Sequence, residues 1–182
     1  MSTEFDIRKV DRSNWSAIKF IDDSIYYGEV AYFDHEDTQV DEPDEDPQNP
    51  DQSTVQPTIR KLRHGNGVQI FFRKDGSILS KYEGEWRKGE KSGKAHILYP
   101  DSSEYIGKVK NGQKEANQGQ YQWASGDYYS GHFKDNRMDG NGVFESASGK
   151  KYDGVFRNNL FHNGGARYIN PLHDDAQSQQ IL

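Results

Sequence analysis

Six histidines, one closely spaced glutamate pair and two Gly-Asn-Gly steps are the residues of this chain whose types could support chemistry. His64 and His162 stand just before a turn-to-strand step, but no second ligand follows either at a spacing that suits a metal. His35, His96, His132 and His173 are scattered. Glu83 and Glu85 could in principle move protons. Strand alternation instead sets them on the face opposite Tyr82 and Trp86, toward solvent. Gly65-Asn66-Gly67 and Gly140-Asn141-Gly142 are not phosphate loops, because no helix begins after them. There is no Gly-x-Ser-x-Gly elbow, Walker loop or dinucleotide fingerprint. The chain has no cysteine, which removes disulfides, zinc-thiolate sites, iron–sulfur clusters and thiol nucleophiles, and suits a reducing compartment. The expectation is a non-enzyme with no catalytic, cofactor-binding or metal-binding residue and no cofactor.

The elements that would position any site are legible as a repeat. Tyr82-Glu83-Gly84-Glu85-Trp86 recurs as Tyr105-Ile106-Gly107-Lys108-Val109, Tyr129-Ser130-Gly131-His132-Phe133 and Tyr152-Asp153-Gly154-Val155-Phe156. The tyrosines lie 23, 24 and 23 residues apart, and Tyr26-Tyr27-Gly28-Glu29-Val30 is an earlier, separate copy. Behind each copy come turn and glycine positions: Gly89, Gly93 and Pro100-Asp101; Asn111-Gly112, Gly119 and Ser125-Gly126; Asn136, Gly140, Gly142 and Ser148-Gly149. In Tyr-x-Gly-x-aromatic, residues i, i+2 and i+4 share one strand face, and the glycine leaves a slot that a neighbouring ring can cover. Asn-Gly and Lys-Gly steps tolerate the positive φ of a tight reversal, so each copy reads as one β-hairpin. Only 32% of the chain is apolar while 13% is aromatic, so rings must carry the burial in place of a Val/Ile/Leu core. A lone hairpin is marginal in water, and the copies must therefore stack into one sheet. The fold class expected is all-β: an elongated single-layer twisted antiparallel meander of about five hairpins.

These registered copies resemble MORN repeats (membrane occupation and recognition nexus). Tyr82 to Tyr105 is similar almost throughout, with Gly93-Lys94-Ala95 in place of Gly-x-Gly, and Tyr129 to Gly142 is an equally close match. The resemblance covers Tyr82 to about Asn170 well and Tyr26 to Gly76 loosely. Ala95 and Asn163 stand where glycine is usual, Val109 where an aromatic is usual, and the third copy has one extra residue around Glu115 to Asn117, read as a bulge or wider turn. The resemblance implies a shallow aromatic groove and a scaffold role in a multi-subunit assembly. The location it implies is cytoplasmic: a cilium or flagellum axoneme or other cytoskeleton, with a mitochondrial site left open. An anionic-lipid tether and an accessory subunit of an organellar enzyme complex are the alternatives.

The domain reading divides the chain into a lead or capping segment (1–24), a repeat sheet (25–33 and 60–170), an acidic insertion (34–59) and a tail (171–182). The insertion carries Asp41-Glu42-Pro43-Asp44-Glu45-Asp46-Pro47, a composition that predicts disorder. It interrupts a hairpin between Tyr26–Phe33 and Arg63–Val68; it reads either as a spacer or as an acidic arm. A longer hairpin should turn at Lys74-Asp75-Gly76, and Asp11 to Lys19 is open to helix, strand or cap. Met1 to Lys9 contains Glu4 and Asp6 and no apolar core, unlike a signal peptide, and no apolar run is long enough to span a membrane.

Charge is divided. Residues 1–59 hold 15 acidic and 4 basic side chains, a net of −11, whereas residues 60–170 hold 12 and 19, a net of +7. The candidate groove residues are Tyr82, Trp86, Tyr105, Tyr129, Phe133, Tyr152 and Phe156, rings that could receive a partner helix or extended segment or could simply pack on one another. The candidate basic patch is Lys88, Lys91, Lys94, Lys108, Lys110 and Lys114. Its expected counterparts are protein partners, with anionic lipid or an acidic tubulin surface as options. Nucleic acid is not expected, because the whole chain is acidic at −6.

Overall fold

The computed structural model of the chain describes residues 13–33 and 59–169, with side chains described as far as residue 162. Among them there is no helix. Twelve strands follow in chain order: β1 (Ser16–Lys19), β2 (Ile25–Phe33), β3 (Arg60–Phe72), β4 (Ile78–Arg87), β5 (Glu90–Leu98), β6 (Glu104–Lys110), β7 (Gln113–Lys114), β8 (Ala116–Gln122), β9 (Tyr128–Lys134), β10 (Arg137–Glu145), β11 (Lys151–Arg157) and β12 (Leu160–Ile169). They form one open antiparallel sheet in meander order, with the short β7 pairing β6 beside the main path. Five hairpins result: β2/β3, β4/β5, β6/β8, β9/β10 and β11/β12.

Two kinds of reversal alternate, and the sequence explains both. Within four of the hairpins the chain turns on Lys88-Gly89, Asn111-Gly112, Asp135-Asn136 and Asn158-Asn159, every one of these residues at positive φ. That is the type I′ geometry whose twist matches paired strands, and Gly and Asn reach it at least cost. Each turn also donates an amide to the preceding hairpin: Gly89 to Arg63 O, Gly112 to Lys91 O, Asn136 to Lys114 O and Asn159 to Met138 O, at 2.8–3.2 Å. The hairpins are thus tied at their turn ends as well as along their ladders.

Between hairpins the chain uses five loops of one design, Phe20–Ser24, Arg73–Ser77, Tyr99–Ser103, Trp123–Asp127 and Ser146–Lys150. In every one the first amide donates to the fifth carbonyl and the fourth amide to the first carbonyl. In three of them an Asp at the third position (Asp22, Asp75, Asp101) accepts the fifth residue's amide at 2.9–3.0 Å. Hydrogen bonding from the fifth-position serine hydroxyl, and then from that amide, holds the three carboxyls below the usual Asp range. The hairpin turn expected at Lys74-Asp75-Gly76 is the second loop of this set.

The first loop also settles the lead segment. The helix considered for Asp11 to Lys19 is not formed over its described part, because Ser16–Lys19 pairs with Ile25–Gly28 as a strand. Alternation sends Ile18 and Phe20 onto the core face, so β1 is a strand of the sheet rather than an amphipathic helix. The extra residue in the third copy does break the strand: β7 and β8 are separated at Glu115, and the β8/β9 register shifts between Ala116 and Gly119. In the first hairpin, β2 and β3 stay paired out to Phe33 and Arg60, beyond the level at which the other hairpins turn. Residues 34–59 leave and return at that point. The disorder expected of residues 34–58, and the expectations for 1–12 and 171–182, lie outside the described residues.

Candidate partner-binding face

Four of the five hairpins build the same device on one face of the sheet. The tyrosine folds back over its own strand and donates its hydroxyl to the carbonyl three residues on: Tyr26 to Glu29 at 2.6 Å, Tyr82 to Glu85 at 2.7 Å, Tyr105 to Lys108 at 2.8 Å and Tyr129 to His132 at 3.1 Å. The rings fit because the residues beneath them are glycines. Gly28, Gly67 and Gly84 are paired in a row that continues through Ala95 and Gly107, and Gly119, Gly131, Gly142 and Gly154 carry it on across the sheet. A Cβ added at Gly142 would come within 2.6 Å of the Tyr129 hydroxyl and ring edge. These four tyrosines are 0–1% exposed. Burial pushes the Tyr129 hydroxyl up to about 12 and those of Tyr26, Tyr82 and Tyr105 higher still.

The residue four places after the tyrosine joins neighbouring copies. Trp86 meets Tyr26 and Tyr82 edge-on at 5.4 and 4.8 Å, Phe133 meets Tyr105 and Tyr129 at 5.2 Å, and Phe156 meets Tyr129 at 5.0 Å. Val109 holds the equivalent place and is buried, but it has no ring to carry the row on.

Of the seven candidate groove residues, Tyr82, Trp86, Tyr105, Tyr129, Phe133 and Phe156 are therefore buried, and Tyr152 is half-buried. A second row on the same face is the accessible one. Tyr99, Tyr121, Trp123, Phe144, Tyr152 and Phe161 follow one another at 4.6–6.3 Å between ring centroids, all half-buried. The signal for Tyr121 and Phe144 was present in the sequence, two residues after a row glycine (Gly119-x-Tyr121, Gly142-x-Phe144). That register puts them opposite Tyr129.

The structure divides the six candidate lysines. Lys91 and Lys114 are on the aromatic face: Lys91 Nζ lies 4.9 Å from the Tyr82 ring centre, and Lys114 Nζ lies 4.6 Å from Tyr121 and 5.4–5.8 Å from Tyr99, Tyr105 and Phe133. Burial lowers both lysines from the ordinary range, and Arg63 adds to the effect at Lys91. Lys94 and Lys108 pair with each other on the opposite face, Lys88 is a turn residue, and Lys110 is exposed at the turn edge.

The opposite face corrects one expectation. Glu83 is not turned to solvent: its side chain is only 12% exposed, pairs with Lys81 at 2.8 Å and stands between Val68 and His96. Glu85 accepts the Lys94 amide at 3.1 Å. The two carboxylates thus serve an ion pair and a strand irregularity. The histidines are dispersed as well. His96 bonds Glu104 at 2.9 Å, His64 Nδ1 accepts the Lys88 amide at 3.4 Å, and His132 packs on Gly140. His35 and His173 lie outside the described residues. Among the described residues no group of three or more His, Cys, Asp or Glu is placed to hold a metal.

The repeat geometry now has a match among known families. A family model described as MORN repeat fits residues 82–104, 105–128 and 129–151 in succession. Residues 82–151 are three consecutive MORN repeats. The MORN frame extends structurally to the hairpins on either side of the matched residues, since Tyr26 makes the same hydroxyl-to-carbonyl bond and Gly154 continues the glycine row. MORN repeats mediate interaction with protein or lipid, and MORN proteins are generally non-catalytic. No helix among the described residues is long and apolar enough to cross a membrane.

Proposed function

We propose that the chain is a non-catalytic scaffold subunit that presents its aromatic face to a protein partner. The observation carrying this reading is the half-buried ring row from Tyr99 to Phe161, which no second layer covers among the described residues. Half-buried Tyr and Trp concentrate binding energy when a partner desolvates them. The seven residues first considered for the groove support this surface from beneath. Six are buried, so their part is to hold the row in place.

For the setting, we propose a ciliary, axonemal or other microtubule-associated complex, on the strength of the MORN repeats alone, which is analogy. A peripheral tether to anionic membrane is the second reading, favoured by the exposed Lys94, Lys108 and Lys110 on the other face and at the turn edge. An accessory subunit of an organellar enzyme complex is the third. Stepwise extraction of the native source, first with detergent and then with salt, separates them. Retention in the detergent-insoluble skeleton until high salt, with companions, supports the scaffold. Release by detergent with the membrane fraction points to the tether or organellar reading.

A further inference from the structure

One repeat position changes character along the sheet. It is the core-face residue just after each hairpin reversal, paired with the residue four places beyond the tyrosine. The pairs are Val30–Arg63, Trp86–Lys91, Val109–Lys114, Phe133–Met138 and Phe156–Phe161. Three cations thus occupy the first three hairpins, and two apolar side chains occupy the last two. Arg63 lies 4.2 Å over the Trp86 ring and is held by Gln69 Oε1 and Gly89 O at 2.9 and 3.0 Å.

No carboxylate occupies a described strand position on this face, since every one that the ladders place there is aromatic, aliphatic, Gly, Ser, Gln, one of these cations or the exposed Lys61 opposite Tyr32. The nearest carboxylates in sequence, Glu90 and Glu115, are exposed at the turn edge. No described carboxylate makes an ion pair with Arg63, Lys91 or Lys114. The buried Trp86 Nε1–H has no acceptor either. The strip is therefore rich in donors and poor in acceptors. Glu90 and Asp22 act on Arg63, and Glu90 on Lys91, only from a distance, and no carboxylate acts on Lys114; burial outweighs these attractions, and an acidic ligand would offset it.

We propose that the strip formed by Arg63, Lys91 and Lys114 receives an acidic peptide segment of a partner protein, running across the strands toward the apolar end at Met138 and Phe161. This rests on the scaffold reading and adds the chemistry of the partner. Successive cations are two strands apart, so the matching carboxylates are spaced by about 10 Å. A peptide fits better than a membrane because these cations are half-buried between rings, whereas a flat anionic surface needs lysines that project.

The test uses the full chain and a fluorescein-labelled peptide of about sixteen glutamates, long enough to span three cations at that spacing. Binding is expected to fall as salt rises. Lys91→Met with Lys114→Met is expected to weaken it by roughly tenfold, and Met138→Lys to strengthen it. Methionine already occupies this position at Met138, so the double variant has a precedent for folding. Changing Lys88, Lys94, Lys108 and Lys110 to Gln is expected to leave affinity within about twofold.

Absence of binding, or loss only in the four-lysine variant, overturns the proposal. So does preference for phosphatidylserine vesicles over the peptide through Lys91 and Lys114. Should the double variant fail to fold, NMR of the dimethylated lysines of the unmutated chain decides, with selective shifts at Lys91 and Lys114 expected and shifts confined to the other lysines overturning it. If no acidic peptide binds but the native partner still shields Tyr121 and Trp123, the scaffold reading stands and only the acidic chemistry falls.

Discussion

The first two full hairpins, β2 to β5, and the last two, β9 to β12, have the same backbone and different surfaces. Both use a tyrosine closed onto its i+3 carbonyl over glycine, and both pack an aromatic from one copy against tyrosines of two. In the first pair the position after the reversal is Arg63 or Lys91, and the face behind carries exposed apolar residues: Ile25, Tyr27, Phe72 and Ile78. In the last pair that position is Met138 or Phe161, and the aromatic row is continuous to Phe161. Between them Val109 interrupts the row. Stability thus resides in the Tyr–Gly device common to both regions, and specificity in the few positions that device leaves unconstrained.

Alkali should affect both regions together. Tyr129 has its folded pKa raised from 10.0 to about 12 by burial, and Tyr26, Tyr82 and Tyr105 are raised further. A raised tyrosine pKa means the folded chain keeps a proton that the unfolded chain releases. The stability these groups contribute is fully present below pH 10 and is lost as pH rises through 12 and beyond. One cooperative transition, followed by circular dichroism and tyrosinate absorbance, is expected in that window. Two separate steps would mean that the regions are independent.

Tyr129→Ala is the next largest effect, at about 3–5 kcal/mol in urea unfolding. Tyr82→Ala should cost less, because Tyr129 meets two rings of the position four places on, Phe133 and Phe156, whereas among the described residues Tyr82 meets one, Trp86. Equal costs would remove the difference ascribed to Val109. Within the glycine row, Gly142→Ala should cost about 2–3 kcal/mol through its clash with Tyr129. Ala95→Gly, at an equivalent place in the row, should cost under about 1 kcal/mol. Met138→Lys should lower stability by about 1 kcal/mol and, smallest of all, Lys114→Met should change it by less than about 0.5 kcal/mol, both read from thermal melts.

Strand, turn and repeat were legible because each depends on residues close in sequence: Tyr-x-Gly-x-aromatic has the period of a strand, and Asn111-Gly112 suits a type I′ turn. The accessible surface depends on pairing between strands, which the sequence does not display. Tyr82 and Tyr105 read as exposed groove residues until the close of each hydroxyl onto a carbonyl buries the ring. Lys91 and Lys94 look like one patch, yet three residues apart on β5 they face opposite sides of the sheet. The Ser16–Lys19 strand was ambiguous because four residues cannot distinguish a helix period from alternation.

The most direct measurement is hydroxyl-radical footprinting of the chain alone and in its native complex. Protection of Tyr99, Tyr121, Trp123 and Phe144 on binding is the expected result, since the partner is assigned to the aromatic face. Unchanged labelling there, with protection of Ile25, Tyr27, Phe72 and Ile78 instead, would place the partner on the opposite face and contradict that assignment.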